Sequence, residues 1–166
     1  LYKEEVVDRY LNILEEEINT VYKGEKLNTI YIGGGTPSSL NIKQLKRLFI
    51  ILDKLNRKNN IEYTIECNFQ SVTKEKLELF KEYGINRISL GIESIDSNNL
   101  LFLERNLDLD EVEEKILLIR KLGFNNINLD LMYALKNETI EILDKDISYL
   151  LSLDVEHIST YSLIIE

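Results

Sequence analysis

The chain has one cysteine, one histidine, one proline and no tryptophan, and these shortages exclude several kinds of site. The single cysteine, Cys67, has no partner for a disulfide within the chain. It also has no cysteine or histidine at ligand spacing, so no metal site is predicted and no Cys-His catalytic pair is visible. A chain that needs no disulfide fits a reducing compartment, and we expect a cytoplasmic protein.

Positive charge and long hydrophobic runs are also scarce. Lys and Arg number 20 against 29 Asp and Glu, which gives a formal net charge of −9 and a pI near 4.8. No nucleic-acid partner is expected, because phosphate backbones bind positive surfaces. No apolar run approaches the roughly 18 residues of a membrane-spanning helix, and no signal-peptide pattern is visible, so no transmembrane segment is predicted.

The sequence instead alternates helix-like and strand-like segments. Helical spacing of apolar residues and capping residues predict helices over residues 6–21, 41–55, 73–84, 108–123 and 138–152. Short β-branched or alternating runs predict strands over residues 29–32, 61–67, 87–92, 126–133 and 157–165. About five βα units in succession predict an α/β domain with a parallel sheet.

Local signals define several helix ends. Asn41 and Asp108 are predicted to begin their helices as capping boxes, each with a Gln or Glu three positions later. Gly84 and Gly123 are predicted to end two helices at the same kind of corner, each followed by an apolar residue, Asn and a strand.

Two architectures are compatible with this alternation. One is a doubly wound open sheet, and the other is part of a (β/α) barrel. Barrels collect functional residues from the ends of nearly all their strands, whereas open sheets often have one pronounced phosphate-binding turn. The barrel is favoured, because four consecutive strand ends carry polar or special residues.

Those residues are the Gly-Gly-Gly-Thr run at 33–36, followed along the chain by Glu66, Glu93 and Asp130. A buried acid costs several kcal/mol unless it is paired or binds a ligand, so three acids in register indicate a site. For any single one of these acids, the alternative to a binding site is that it caps the next helix or pairs with a cationic neighbour.

The glycine run is the most unusual segment. A tight turn alone could require glycine, but three in succession followed by Thr36 and Pro37 would let bare backbone approach a ligand closely. It is neither a G-x-G-x-x-G fingerprint nor a P-loop, so no phosphate site is predicted.

Two further residues are candidates of different kinds. Arg105 is an isolated cation in an acidic stretch, and a surface ion pair with Glu104 or Asp108 is the alternative to a binding role. His157 begins a strand, at the end of a barrel associated with stability, and is interpreted as structural.

The motifs "TIYIGGGTPSSL", "YTIECNF", "GINRISLGIES", "LERN", "GFNNINLDLMYAL" and "EHISTYSLIIE" occur in this order. Together they resemble the radical S-adenosylmethionine (SAM) family of oxygen-independent coproporphyrinogen III oxidases and HemW-type heme chaperones. The resemblance extends over nearly the whole chain and implies an incomplete, TIM-like (β/α) barrel. The last strand is more similar to the chaperone type.

The resemblance also implies a SAM site. Backbone of the glycine run would contact the amino group of SAM, an arginine its carboxylate, and acids its ammonium group and ribose hydroxyls. The residues that match the cofactor-binding positions are Gly34, Gly35, Thr36, Glu66, Glu93, Arg105 and Asp130. No catalytic residue is assigned.

The family further implies a [4Fe-4S] cluster held by a C-x-x-x-C-x-x-C loop. On this basis residues 1–166 are expected to be a fragment of a radical SAM core domain, without the first strand, the cluster loop and a C-terminal region. The implied function is heme binding and transfer to respiratory heme proteins. The alternative is SAM-dependent oxidative decarboxylation of a porphyrinogen.

This chain departs from the family pattern at four places. Glu93 replaces a glutamine, Phe69 a proline and Leu107 a histidine, and Ala134-Leu135-Lys136 stands for Gly-Leu-Pro. Two functions of other classes stay open. One is a Mg²⁺-dependent barrel enzyme that uses the three strand-end acids, and the other is a barrel kept only as an interaction module.

Overall fold

The fold is a five-stranded parallel sheet with helices, seen in a computed structural model that describes residues 3–164. The helices are α1 (Glu4–Val21), α2 (Ile42–Leu52), α3 (Lys74–Glu82), α4 (Ser97–Phe102), α5 (Leu109–Lys121) and α6 (Ile140–Ser152). The strands are β1 (Leu27–Ile32), β2 (Arg57–Asn68), β3 (Arg87–Glu93), β4 (Ile127–Tyr133) and β5 (His157–Ser162). Two 3₁₀ turns, Pro37–Ser39 and Phe69–Ser71, follow β1 and β2.

The order of the strands decides between the two architectures. They lie side by side as β1-β2-β3-β4-β5, and every neighbouring pair is parallel. A doubly wound sheet reverses its strand order at a switch point, whereas a barrel adds each strand beside the last. The sheet is therefore a half-barrel, and the predicted barrel segment of five βα units is confirmed.

Alternation along the strands gives the sheet an apolar face and a polar face. In β4, Ile127, Leu129 and Leu131 are fully buried in the core cluster that includes residues of α2, α3 and α5. The intervening Asn128 and Asp130 belong to the other face, which forms the inside of the half-barrel. The core thus lies between sheet and helices, and the inner face is free to carry polar groups.

The two predicted glycine corners have the same geometry. Gly84 and Gly123 adopt φ of +82° and +85°, the left-handed conformation that glycine tolerates best. In each corner the amide directly after the glycine donates back across the last turn, from Ile85 to the carbonyl of Phe80 and from Phe124 to the carbonyl of Ile119. This is the Schellman pattern, and it directs the chain from helix into strand.

The largest differences from the sequence prediction are the start of β2 and a short helix after β3. β2 begins at Arg57 rather than at residue 61, because the amide of Leu27 donates to Asn56 and a register shift lets polar residues extend the ladder. The short helix α4 was not predicted, because six residues are too few to show a helical period. Its capping residue, Asp96, was the available signal.

Helix caps were predicted well, with one correction. Asn41 forms the expected capping box with Gln44, and Thr73 caps α3. Asp108 also caps its helix, but it accepts from the amide of Asp110 and not through the predicted box. β5 ends at Ser162, and the last residue of the predicted strand 157–165 lies outside the described residues.

A buried acid on α6 holds the loop after β3. Asp146 is fully buried and accepts hydrogen bonds from the hydroxyl of Ser94 at 2.6 Å and the amide of Ile95 at 3.0 Å. Asn99 of α4 donates to the same Ser94 hydroxyl. The loop that starts directly after Glu93 is therefore fixed to α6.

Replacing Asp146 by alanine is expected to lower the free energy of unfolding by about 2–4 kcal/mol, because a buried hydroxyl and a partly buried amide lose their acceptor. Asp144→Ala on the exposed side of the same helix is the matched control and is expected to change it by less than about 0.5 kcal/mol. Urea unfolding measures both. Equal effects of the two substitutions would contradict this role of Asp146.

Candidate functional site

A polar pocket opens at the carboxyl ends of the five strands. Its volume is about 450 Å³, and its walls come from β1 to β5 and from the loop after α4. The lining includes Tyr31, Gly34, Thr36, Glu66, Cys67, Asn68, Ser89, Gly91, Glu93, Arg105, Asp130, Ser159 and Tyr161. The three predicted acids and the predicted arginine therefore lie in one site.

The glycine run after β1 forms one rim of this pocket, here called the glycine shelf (residues 33–36). Gly34 has φ of +105°, and a side chain on Gly34 or Gly35 would meet no atom within 4 Å. Thr36 also has a left-handed backbone, with φ of +52°, and precedes the 3₁₀ turn that begins at Pro37. The shelf is thus bare backbone beside open space.

Glu66 fastens the shelf to β2. Its carboxylate accepts from the amide of Gly34 at 3.1 Å and from the hydroxyl of Tyr31 at 2.9 Å. Gly33 must be glycine for this contact, because a Cβ there would lie 2.9 Å from a carboxylate oxygen of Glu66. Burial and the adjacent Glu66 raise the pKa of Tyr31, so its hydroxyl stays a donor.

Arg105 and Glu93 form an ion pair on the opposite side of the pocket. Arg105 Nη2 lies 3.0 Å from Glu93 Oε1, and Nη1 donates to the carbonyl of Gly91 at 3.3 Å. The hydroxyl of Tyr161 donates to the other oxygen of Glu93. The alternative of a surface pair between Arg105 and Glu104 or Asp108 is not what the structure shows.

Glu93 is held in an unusual conformation. Its φ is +70°, and its side chain is only 7% exposed. Burial raises the pKa of Glu93, while Tyr161 and Arg105 oppose that rise. Burial and the contact with Glu93 also raise the pKa of Tyr161, which keeps the phenol protonated.

Asp130 lies at the floor of the pocket and belongs to a hydrogen-bond network inside the half-barrel. The amide nitrogen of Asn128 donates to Asp130 at 2.7 Å and to Ser89 at 2.8 Å. The oxygen of the same amide accepts from Ser159 at 2.9 Å. Asn128, two residues before Asp130 on β4, therefore orients the Asp130 carboxylate.

Asp130 is expected to reduce stability at neutral pH. Burial raises its pKa, and the hydrogen bonds from Asn128 and Ser89 offset this only in part. A raised folded-state pKa means that the carboxyl stabilises the fold below the ordinary pKa near 3.8 and that this contribution is lost as pH rises through the folded pKa. Asp130→Asn is therefore expected to raise the midpoint of urea unfolding at neutral pH, with a smaller gain under acid conditions. A lower midpoint at neutral pH would contradict the assignment.

His157 has the structural position that the sequence predicted. It begins β5, and its Nδ1 contacts Asn128 and lies 3.1 Å from Arg87 Nη2. Arg87 is the first residue of β3 and Asn128 the second of β4, so both partners lie near the amino ends of their strands.

Gly35 is the one predicted site residue that does not line the polar pocket. It borders a neighbouring apolar groove of about 390 Å³ between α1 and β1, together with Thr36 and Pro37. The glycine shelf therefore separates a polar pocket from an apolar groove.

Several lining or supporting residues were not predicted as site residues from the sequence: Tyr31, Cys67, Asn68, Ser89, Gly91, Asn128, Ser159 and Tyr161. A usable signal was present, because polar residues alternate with apolar ones along β3, β4 and β5 and so share the inner face. They were not predicted because the site prediction was based on residues at the strand ends.

Metal-binding potential is low in the part of the chain that the structure describes. Among residues 3–164, no three His, Cys, Asp or Glu side chains are placed to hold a metal ion. Cys67 is 4% exposed, and burial raises its pKa to about 12, so its thiol is not a ready metal ligand.

Comparison with known proteins shows the family of the chain. A profile of the Radical SAM superfamily matches residues 3–150. The chain belongs to this superfamily. The resemblance seen in the sequence motifs is thereby confirmed.

Curated relatives include heme chaperones. HemW of Bacillus subtilis (strain 168) is 41% identical over 165 residues, which are 96% of this chain and 44% of the relative. HemW of Escherichia coli (strain K12) is 31% identical over 98% of this chain and 43% of the relative. The chain thus spans less than half the length of these relatives.

Among solved structures, coproporphyrinogen III oxidase (HemN) from Escherichia coli has a similar fold. Its TM-score is 0.89 at 25% identity, over 99% of this chain and 39% of that chain. The half-barrel therefore corresponds to a known radical SAM fold. Within residues 3–164, no helix has the length and apolar character needed to cross a bilayer.

Proposed function

We propose that this chain is the SAM-binding core of a HemW-type heme chaperone. The observation that carries the SAM assignment is the convergence of the glycine shelf, Glu66, Arg105 and Asp130 on one pocket. A guanidinium binds a carboxylate, and backbone carbonyls and a carboxylate suit an ammonium group. Asp130 would accept from ribose hydroxyls. These groups match the amino-acid and ribose parts of SAM.

The charge of the pocket also fits SAM. Glu66, Glu93 and Asp130 face the guanidinium of Arg105, so acids outnumber bases in the lining. SAM carries an ammonium and a sulfonium group against one carboxylate and is a net cation. An excess of negative charge therefore favours SAM over neutral or anionic ligands.

The residues described here do not fit a [4Fe-4S] cluster, which requires several thiolates. Cys67 is the only cysteine of the chain and is buried with a raised pKa. We therefore propose that the cluster ligands lie outside residues 1–166 in the whole protein, and we propose the same of the region that contacts heme. No step of the function is assigned to cluster ligands in this chain.

The chaperone output rests on the HemW relatives at 41% and 31% identity. In the proposed function the whole protein binds heme in the cytoplasm and transfers it to respiratory heme proteins. The SAM pocket would then act as a bound-cofactor site of the chaperone.

The test uses the full-length protein reconstituted with its cluster. We expect stoichiometric heme binding, SAM binding by calorimetry, and no conversion of coproporphyrinogen III under anaerobic reducing conditions. Heme release to an apo-cytochrome measures transfer. Absence of SAM binding would contradict the core assignment, and absence of heme binding would contradict the chaperone assignment.

A second candidate is an oxygen-independent coproporphyrinogen III oxidase, favoured by the similarity to HemN at a TM-score of 0.89. Decarboxylation of coproporphyrinogen III in the same assay would support it. A Mg²⁺-dependent enzyme is disfavoured for two reasons. Glu93 is paired with Arg105, and no three His, Cys, Asp or Glu side chains among the described residues are placed to hold a metal ion. Tight Mg²⁺ binding without SAM binding would revive it.

A further inference from the structure

Arg105 is the only cation among the residues that line the polar pocket, and it already contacts two oxygen atoms of the protein. Its Nη2 is 3.0 Å from Glu93 Oε1, and its Nη1 is 3.3 Å from the carbonyl oxygen of Gly91. A ligand carboxylate that enters this pocket thus meets an arginine that is paired with a carboxylate of the chain itself.

The backbone is arranged to bring Glu93 to that arginine. Glu93 has φ of +70°, a left-handed conformation that costs roughly 1 kcal/mol or more for a residue with a side chain. A register shift in the β3–β4 ladder lies between Gly91 and Glu93. A Cβ on Gly91 would lie 2.8 Å from Glu93 Oε1, so the absence of a side chain there leaves room for the carboxylate.

A second anchor keeps the carboxylate in the site. The hydroxyl of Tyr161 donates to Glu93 Oε2, whereas Arg105 Nη2 lies 3.0 Å from Oε1. If Arg105 turned toward a ligand, Glu93 would still be hydrogen-bonded to Tyr161 from β5. The structure therefore provides a resting partner for Glu93 when its ion pair is broken.

We infer that Glu93 is an internal carboxylate that competes with a ligand carboxylate for Arg105 and so limits the preference of the pocket for carboxylate-bearing ligands. This inference rests on the proposed binding of SAM in the same pocket. It makes Glu93 a specificity-determining residue of that site.

The charge of the pocket, like the competition for Arg105, disfavours binding of a ligand carboxylate. With Glu93 ionised, three carboxylates face one guanidinium in the lining, and the surplus repels a ligand carboxylate. Glutamine at this position would remove one negative charge and leave Arg105 without an anionic partner. Both effects favour a ligand that carries a carboxylate.

A positioning role for Glu93 predicts the opposite change in the preference for a ligand carboxylate. If Glu93 served to orient Arg105 for the ligand carboxylate, its neutralisation would weaken the preference for that carboxylate, as loss of a supporting contact does. The sign of the change therefore separates competition from positioning.

The experiment compares SAM with decarboxylated SAM, which is the same molecule without the carboxylate. Calorimetry on the full-length protein gives the ratio of the dissociation constants, decarboxylated SAM over SAM. We expect Glu93→Gln to raise this ratio on the order of tenfold, as expected for removal of one nearby charge in a partly buried site. Glu82→Gln, the same charge change on the exposed face of α3, is expected to leave the ratio unchanged.

A measurement on the unsubstituted protein covers the case in which Glu93→Gln does not fold. Arg105, Tyr161 and Asp130 are the titratable or charged groups that act on Glu93. Lowering the pH from about 7 to about 5 protonates a fraction of Glu93, whereas the SAM carboxylate stays ionised. The ratio is expected to rise, because protonated Glu93 no longer competes for Arg105. Protonation of Asp130 affects the part that both ligands share, so its effect cancels in the ratio.

A ratio that is unchanged or lower in folded Glu93→Gln, or that does not rise in acid, overturns the inference while SAM binding itself stands. If neither ligand binds to the unsubstituted protein, the proposed function is overturned and the inference with it. The two failures are therefore distinguished by whether the unsubstituted protein binds either ligand.

Discussion

Replacing Arg105 by methionine is expected to weaken SAM binding about 100-fold or more and to lower the free energy of unfolding by about 2–3 kcal/mol. The first effect follows because Arg105 is the only cation in the pocket lining. The second follows because Glu93, 7% exposed, would lose its counter-ion and retain only the hydroxyl of Tyr161. Calorimetry and urea unfolding of the full-length protein measure the two effects.

A double variant separates these two roles of Arg105. In Arg105→Met/Glu93→Gln the buried charge is removed together with its partner, so most of the lost stability is expected to return. SAM binding is not expected to return, because no guanidinium is present. Recovery of binding without recovery of stability would contradict the account of both residues.

Replacing Glu66 by alanine is expected to weaken SAM binding about 30- to 100-fold with a change in stability below about 1 kcal/mol. Glu66 has two proposed roles. It accepts a hydrogen bond from the amide of Gly34 at 3.1 Å, and it supplies negative charge for an ammonium group. Its loss frees the glycine shelf and removes a ligand contact. Calorimetry with SAM on the full-length protein measures the result.

Two controls belong to this prediction. Glu62→Ala makes the same change on the same face of β2, at an exposed position four residues earlier, and is expected to leave SAM binding unchanged. Tyr31→Phe removes only the 2.9 Å hydrogen bond to Glu66 and is expected to weaken binding by about tenfold or less. An effect of Glu62→Ala as large as that of Glu66→Ala would argue for general electrostatics in place of a defined contact.

The sequence predicted the positions of the strand ends, and so it predicted the three acids of the site. Glu66, Glu93 and Asp130 could be recognised because acids directly after apolar strands need a partner or a ligand. Their convergence follows from parallel strands in sequential order, which place successive strand ends at one edge of the sheet.

The partner of Arg105 could not be predicted, because it depends on tertiary geometry. Glu104 and Asp108 are near Arg105 in sequence, but the left-handed backbone of Glu93 and the bare Gly91 bring a more distant acid to the guanidinium. The role of Asp146 was invisible for the same reason, since its partners Ser94 and Ile95 are about fifty residues away in the chain. Tyr161 became a site residue only through the position of β5 beside β4.

The most direct test of the central claim is a crystal structure of the full-length protein with SAM. We expect SAM at the carboxyl ends of the strands, with its carboxylate within hydrogen-bond distance of Arg105 and its ammonium group against the glycine shelf and Glu66. SAM bound elsewhere, or bound in this pocket with its carboxylate away from Arg105, would contradict this claim.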